Sequence, residues 1–210
     1  MSDRGSPRWF LQGLRAVGWL LLLSACACAW SAPAARDEPL QITELQVERA
    51  DDGYYLTAQL GFDLPNTVQD ALAKGMPLYF VADAQLLRER WYWRDKPVAS
   101  VTRYLRLAYQ PLTRRWRFNL SSEPWGSGAS AAASLSQHFD SLPEALGAMR
   151  HLGRWKLADA HVLQPEARHY VLLHVWLDAS QLPRPFQMGV VGQDDWDLDA
   201  TRKFRLEPGK

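Results

Sequence analysis

Ten consecutive residues, RERWYWRDKP from Arg88 to Pro97, carry three aromatic and four basic side chains. Trp, Tyr and Arg at this density resemble a binding hot spot, because they combine large apolar area with directed hydrogen bonds. Continued strand geometry would put Arg88, Arg90, Tyr92 and Arg94 on one face, and Glu89, Trp91, Trp93 and Asp95 on the other. On that spacing Trp91 and Trp93 are expected to be partly buried, covering one end of the fold. Arg88, Arg90 and Tyr92 would then form the exposed, contacting side. The run from Pro77 to Trp93 is long for one strand, so a bulge is expected near Arg88. Arg88, Arg90, Trp91, Tyr92, Trp93 and Arg94 are therefore the candidate interface. The alternative is a strand end clad by tryptophans with arginines stacked on them.

Other side chains offer less. The five histidines, His138, His151, His161, His169 and His174, lack metal-ligand spacing. His169 and His174 fall on opposite faces of one predicted strand, and all five read as surface or strand-edge residues. Asp195, Asp197 and Asp199 repeat the D-x-D-x-D opening of a calcium loop. Ala200, however, stands where the turn glycine belongs, and Leu206 where the final glutamate ligand belongs. Trp196 and Leu198 alternate with those aspartates, which reads more simply as a strand with one wet face. Gly126-Ser127-Gly128 has neither the spacing nor the preceding strand of a nucleophile elbow, and no glycine-rich loop opens a helix. No catalytic residue, metal or cofactor is expected, and the chain is expected not to be an enzyme.

The N-terminus reads as a targeting segment. Arg4, Arg8 and Arg15 precede the apolar run AVGWLLLLSACACAW, and Ala32-Pro33-Ala34 supplies a small-residue cleavage site. The apolar run falls short of the ~20 residues that a membrane span needs. Residues 1–34 are thus expected to be a signal peptide, and residues 35–210 a single exported domain. Removing that segment takes away three arginines against one aspartate, which moves the formal net charge from +1 to −1. A near-neutral domain lacks the positive field that draws nucleic acid. Both cysteines, Cys26 and Cys28, lie inside the segment, so no disulfide framework or thiol nucleophile would remain. Leu23-Ser24-Ala25-Cys26 also resembles a bacterial lipobox. Lipidation at Cys26 and simple secretion to the periplasm both stand open.

The elements that must position the aromatic stretch are mostly strands. Leu56, Ala58, Leu60, Phe62 and Leu64 alternate with more polar residues, and Leu78 to Leu86 resumes the same period. Asp52-Gly53 signals a hairpin. Further strands are expected around Val101–Leu107, Trp116–Leu120, Trp155–Val162, Tyr170–Asp178 and Trp196–Leu206. Asn66 is expected to cap a short helix bearing Val68, Ala71 and Leu72, stopped by Gly75 and Pro77. Ser141-Leu142-Pro143-Glu144 is a capping box for a second helix, with Leu142, Leu146 and Met149 inward and Gly153 at its end. The segment GSGASAAAS, Gly126 to Ser134, reads as a loop. The fold class is mainly β, an antiparallel β-sandwich, immunoglobulin-like in architecture, with two short helices.

The stretch MPLYFVADAQLLRERWYWRDKPVASVTRYLRLAYQPLTRRWRF is similar to the central signature of domain-of-unknown-function family 4390, a family of bacterial exported proteins. GYYLTAQLGFDLP, SLPEALGAMRHLGRW, and SQLPRPFQ followed by Trp196 extend the likeness over about residues 40 to 206. Cys26 and the GSGASAAAS segment lie outside that pattern. The resemblance implies short exported proteins without assigned catalytic residues. It also implies genes that often neighbour a membrane sensor histidine kinase of the nitrogen-regulation type. The expected function is a non-enzymatic accessory of the cell envelope that binds a protein, such as a sensor kinase. The alternative is a module that binds a small molecule or envelope polymer by stacking on exposed aromatics. Membrane contact would come only through the signal or a lipid anchor.

Overall fold

A computed structural model describes residues 38–92, 94–126, 134–164, 166–182, 184 and 194–206. The expected signal peptide with Cys26 and Cys28, residue Trp93 and most of the GSGASAAAS stretch lie outside the described residues. Nine strands form two antiparallel sheets among the described residues. β1 (Leu40–Ala50), β2 (Gly53–Phe62) and β7 (His151–Asp159) make the smaller sheet, in the order β1-β2-β7. The larger combines β3 (Leu78–Arg88), β4 (Lys96–Gln110), β5 (Arg115–Ser121), β6 (Leu135–Phe139), β8 (His169–Leu177) and β9 (Asp199–Leu206), in the order β6-β5-β4-β3-β8-β9.

Period-two alternation builds the core between them. Leu56, Ala58, Leu60 and Phe62 of β2 meet Leu78, Phe80, Ala82, Ala84 and Leu86 of β3 in one buried cluster, which Val171, Leu173 and Val175 of β8 extend. Phe62 and Phe80 pack edge to face, with ring centroids 5.4 Å apart. The edges of the two sheets are joined by Arg202 of β9. Its Nη1 donates to the carbonyls of Ile42 (2.5 Å) and Thr43 (2.6 Å), where the register of β1 shifts at a bulge. The bulge leaves strand carbonyls without a ladder partner, and the guanidinium satisfies them.

Helix α1 (Asn66–Ala73) buries Val68, Ala71 and Leu72 as the spacing predicts. Asn66 is not its cap, however. Pro65 occupies that position, and Asn66 is already helical. The C-terminus closes as a Schellman motif, with Gly75 N bonded to Leu72 O (2.9 Å) and Met76 N to Ala71 O (3.0 Å). Gly75 takes φ +87°, which glycine adopts without a Cβ clash. Helix α2 (Leu142–Arg150) starts at the predicted cap, the Ser141 hydroxyl accepting from Glu144 N. Ala145 and Met149 are its fully buried residues, while Leu142 and Leu146 pack at the margin. Gly153 does not end it. The chain passes directly into β7 at His151, and Gly153 lies within that strand.

Three further expectations are corrected. The first hairpin turns through Asp51-Asp52, since Ala50 pairs with Gly53. Gly53 is therefore a strand residue, chosen for clearance. A Cβ there would stand 2.3 Å from Ala158 O and 2.8 Å from Lys156 Cε. Second, Trp196 and Leu198 are buried but do not belong to a strand: Asp194–Trp196 is a 3₁₀ turn, and β9 begins at Asp199. Third, His169 is buried rather than superficial, because it shares the inward face of β8 with Val171, Leu173 and Val175. Gly53→Ala should destabilise the fold by about 1–3 kcal/mol, the usual cost of overpacking. A denaturant titration checks this, and a shift equivalent to less than about 0.5 kcal/mol would contradict the clearance argument.

Candidate interaction site

The aromatic stretch begins where strand pairing stops. β3 is hydrogen-bonded to β4 and β8 along its length, and Arg88 ends both ladders, opposite Lys96 and His169. The bulge expected in this run near Arg88 lies instead on the neighbouring strand, because the run itself ends as a strand at Arg88. Leu86 pairs with Ala99 and Leu87 with Pro97, so Val98 is the extra residue, carried by β4. Glu89 N still reaches Arg168 O at 2.9 Å, after which the chain leaves the sheet.

Asp95 closes the loop that follows. Its Oδ1 accepts from Arg90 N (3.0 Å), and its Oδ2 accepts from the Tyr170 hydroxyl on β8 (2.7 Å). Tyr170 is only 7% exposed, and the Lys203 ammonium lies 3.4 Å from its ring centroid. Lys203 Nζ also pairs with Glu89 Oε1 at 3.2 Å, while Arg205 Nε lies 3.9 Å from the same oxygen. The loop base is thus tied to β8 and β9 by a buried phenol and a small ion network. Arg88 Nη1 bonds Gln164 Oε1, which fixes the last strand residue from the other side.

Above this base the aromatics stand free. Trp91 is 92% exposed and Tyr92 68%, and their rings meet edge to face with centroids 4.7 Å apart. Arg90 and Arg94 are exposed beside them, whereas Arg88 is half-buried. The expected burial of Trp91 is therefore wrong, as is the expectation that Arg88 lies on the open side. The cause is the end of the ladder at Arg88: beyond it period two no longer applies, and Asp95 folds the chain into a loop. Trp93 lies outside the described residues; Trp91 and Tyr92 are in ring contact, and Arg90 and Arg94 are exposed on the same loop. The residues that the sequence reading missed are Asp95, Glu89, Tyr170 and Lys203. Asp95-Lys96-Pro97 signals a turn, but nothing in the sequence links Asp95 to a tyrosine on a later strand.

Burial pushes the His169 imidazole pKa down, and nearby Arg88 adds to this against a backbone hydrogen bond at Ala167. His174 pairs with Asp199 and stacks on Trp176, with centroids 4.4 Å apart. His151 Nδ1 lies 3.0 Å from Gln59 Nε2. Asp195 accepts from the Thr67 hydroxyl at 2.9 Å, which docks the acidic turn against α1. Among the described residues, no three or more His, Cys, Asp or Glu side chains gather where they could hold a metal ion. An open groove lined by Thr43, Glu44, Gln59, Leu60, Gly61 and Arg150 carries no aromatic side chain, so it offers no stacking surface.

Fold and site together define an antiparallel β-sandwich that presents an aromatic pair on a tied loop. The chain belongs to the family described as Domain of unknown function (DUF4390), whose family model matches residues 37–206. No curated protein and no solved structure matches the chain.

The clamp has a pH signature. The hydrogen bond to Asp95, with burial, pushes the Tyr170 pKa from its ordinary 10.0 to about 12. Its bond therefore contributes fully below pH 10.0 and is lost as pH rises through about 12. The Tyr170 hydroxyl, then Arg90 N, holds the Asp95 pKa below its ordinary 3.8, so that contribution is present above 3.8 and fades at lower pH. The stability difference between wild type and Tyr170→Phe should be flat between these limits and shrink on both sides. Denaturant midpoints measured across pH check this, and a difference that does not vary with pH would refute the clamp.

Proposed function

We propose that this protein is a non-enzymatic, exported accessory of the bacterial cell envelope that binds a protein partner through the loop bearing Trp91 and Tyr92. On this reading residues 1–34 direct export to the periplasm, with Cys26 as the point of attachment in a lipid-anchored form. A membrane sensor histidine kinase is the proposed partner, through its extracytoplasmic part.

The observation that carries this reading is the pairing of exposure with restraint. An indole and a phenol project into solvent at 92% and 68% exposure from a loop whose base is held by Asp95 and Tyr170. Exposed aromatic area is unfavourable in water at roughly 25 cal/mol per Å², so a fold that presents it from a fixed base gains most when a partner covers it. A loop whose base is already held loses less conformational entropy on binding than a free one. Arg90 and Arg94 flank the pair, which suits a partner with an apolar recess and an acidic rim.

Crosslinked pull-down from the native envelope tests the proposal. The double variant Trp91→Ala/Tyr92→Ala should lose about tenfold or more of its partner capture, as hot-spot truncations do. Trp91→Ala alone should change stability by less than about 0.5 kcal/mol, as for other exposed sites. Unchanged capture would remove the loop from the interface. Recovery of an envelope polymer by wild type, lost in the double variant, would replace the protein partner with the polymer-binding alternative.

A further inference from the structure

The inner face of the larger sheet carries an arginine. On β4 the core-facing series runs Val101, Arg103, Leu105 and Leu107, with Arg103 opposite the fully buried Ala82 of β3. Leu105 and Leu107 are fully buried, and Arg103 is partly so. Its guanidinium carbon lies 5.7 Å from the ring centroid of Trp155 on β7, a side chain only 4% exposed. Nη1 donates to the Ser122 hydroxyl just beyond β5.

Two further donors of this pair are buried without an acceptor. Arg103 Nε is buried with no acceptor, and so is Trp155 Nε1 on the ring that the guanidinium faces. Trp125 Nε1, on the loop that Ser122 opens, is likewise buried without an acceptor. Arg103 makes no ion pair among the described residues. A buried donor without a partner forfeits the hydrogen bonds it made to water, and native folds carry few of them. Contact with the indole face offsets part of the charge but gives the N–H groups no acceptor.

We propose that Arg103 and Trp155 form a carboxylate-binding site at the seam between β4 and β7. With Nη1 held by Ser122, the free edge of the guanidinium is the one formed by Nε and Nη2. That planar edge matches the two oxygens of a carboxylate bidentately. One positive charge balances one carboxylate, whereas a phosphate monoester would bring roughly −1.5 to −2 into a partly desolvated site. The Trp155 indole N–H, on the ring that the guanidinium faces, is a further donor without an acceptor. Water could satisfy the hydrogen bonds but would leave the charge unpaired.

The test follows the indole N–H resonances of the full chain, ¹⁵N-labelled at tryptophan, during titration with sodium acetate against sodium chloride at matched ionic strength. Trp155→Phe assigns the resonance by its loss. Acetate should shift it saturably and chloride should not. Arg103→Lys keeps the charge but loses the fork, and should weaken acetate about tenfold, with the other indole resonances unmoved as evidence of an intact fold. A capped tripeptide with central glutamate distinguishes the source: tighter binding than acetate assigns the carboxylate to a protein partner, and equal binding to a small free acid. No saturable shift with acetate, an equal shift with chloride, or tighter saturation by inorganic phosphate overturns the proposal. If Arg103→Lys does not fold, the acetate, chloride and phosphate titrations of wild type decide the matter alone.

Discussion

β3 is paired with β4 along its whole length and with β8 from Phe80 to Arg88, and its register decides where everything around the aromatic loop falls. Because Leu87 pairs with Pro97 on one side and Tyr170 on the other, the Tyr170 phenol stands in the row next to the loop base. From there it reaches Asp95, two residues before Pro97, at 2.7 Å. The same ladder places Arg205 opposite Tyr170 and Lys203 opposite Leu172, so both cations approach Glu89. One residue of slip in β8 would turn Tyr170 into the core and release Asp95. The loop's shape is therefore a consequence of sheet register more than of its own ten residues.

That dependence also explains how an arginine, a tryptophan and a tyrosine can stay exposed without collapsing onto the sheet. A short loop rich in aromatics would ordinarily fold its rings against nearby apolar surface. Here Asp95 uses both carboxylate oxygens to hold the loop base, one on Arg90 and one on β8. A different arginine does comparable work on the other face of β9, where Arg202, next to Lys203, satisfies two carbonyls at the β1 bulge and joins the sheets' edges. Arg103 is the exception, a guanidinium on an inner face with only a hydroxyl and an indole for company.

Much of the fold is legible in local sequence pattern. The alternation of β2 and β3 assigns the buried face, and Ser141 marks the start of α2, because both signals act within a few residues. What escapes has distant causes. Gly53 looks like a turn glycine, yet it is constrained by Ala158 on another strand. Asn66 has a capping side chain but lies one residue inside the helix. Trp91 looks buried if the strand continues, and only the end of pairing at Arg88 reveals that it does not. The candidate site was half legible for the same reason: its composition marks the right residues, while the groups that orient them sit 75 residues away on β8.

Placing a photo-crosslinking residue at position 92, and separately at position 112, tests the central claim most directly. Leu112 is fully exposed too, but it lies at the opposite end of β4, in the turn before β5. The account predicts a discrete crosslinked protein in the native envelope from position 92, weakened by Asp95→Ala, and none from position 112. Equal products from both positions, or a product from position 112 alone, would contradict it.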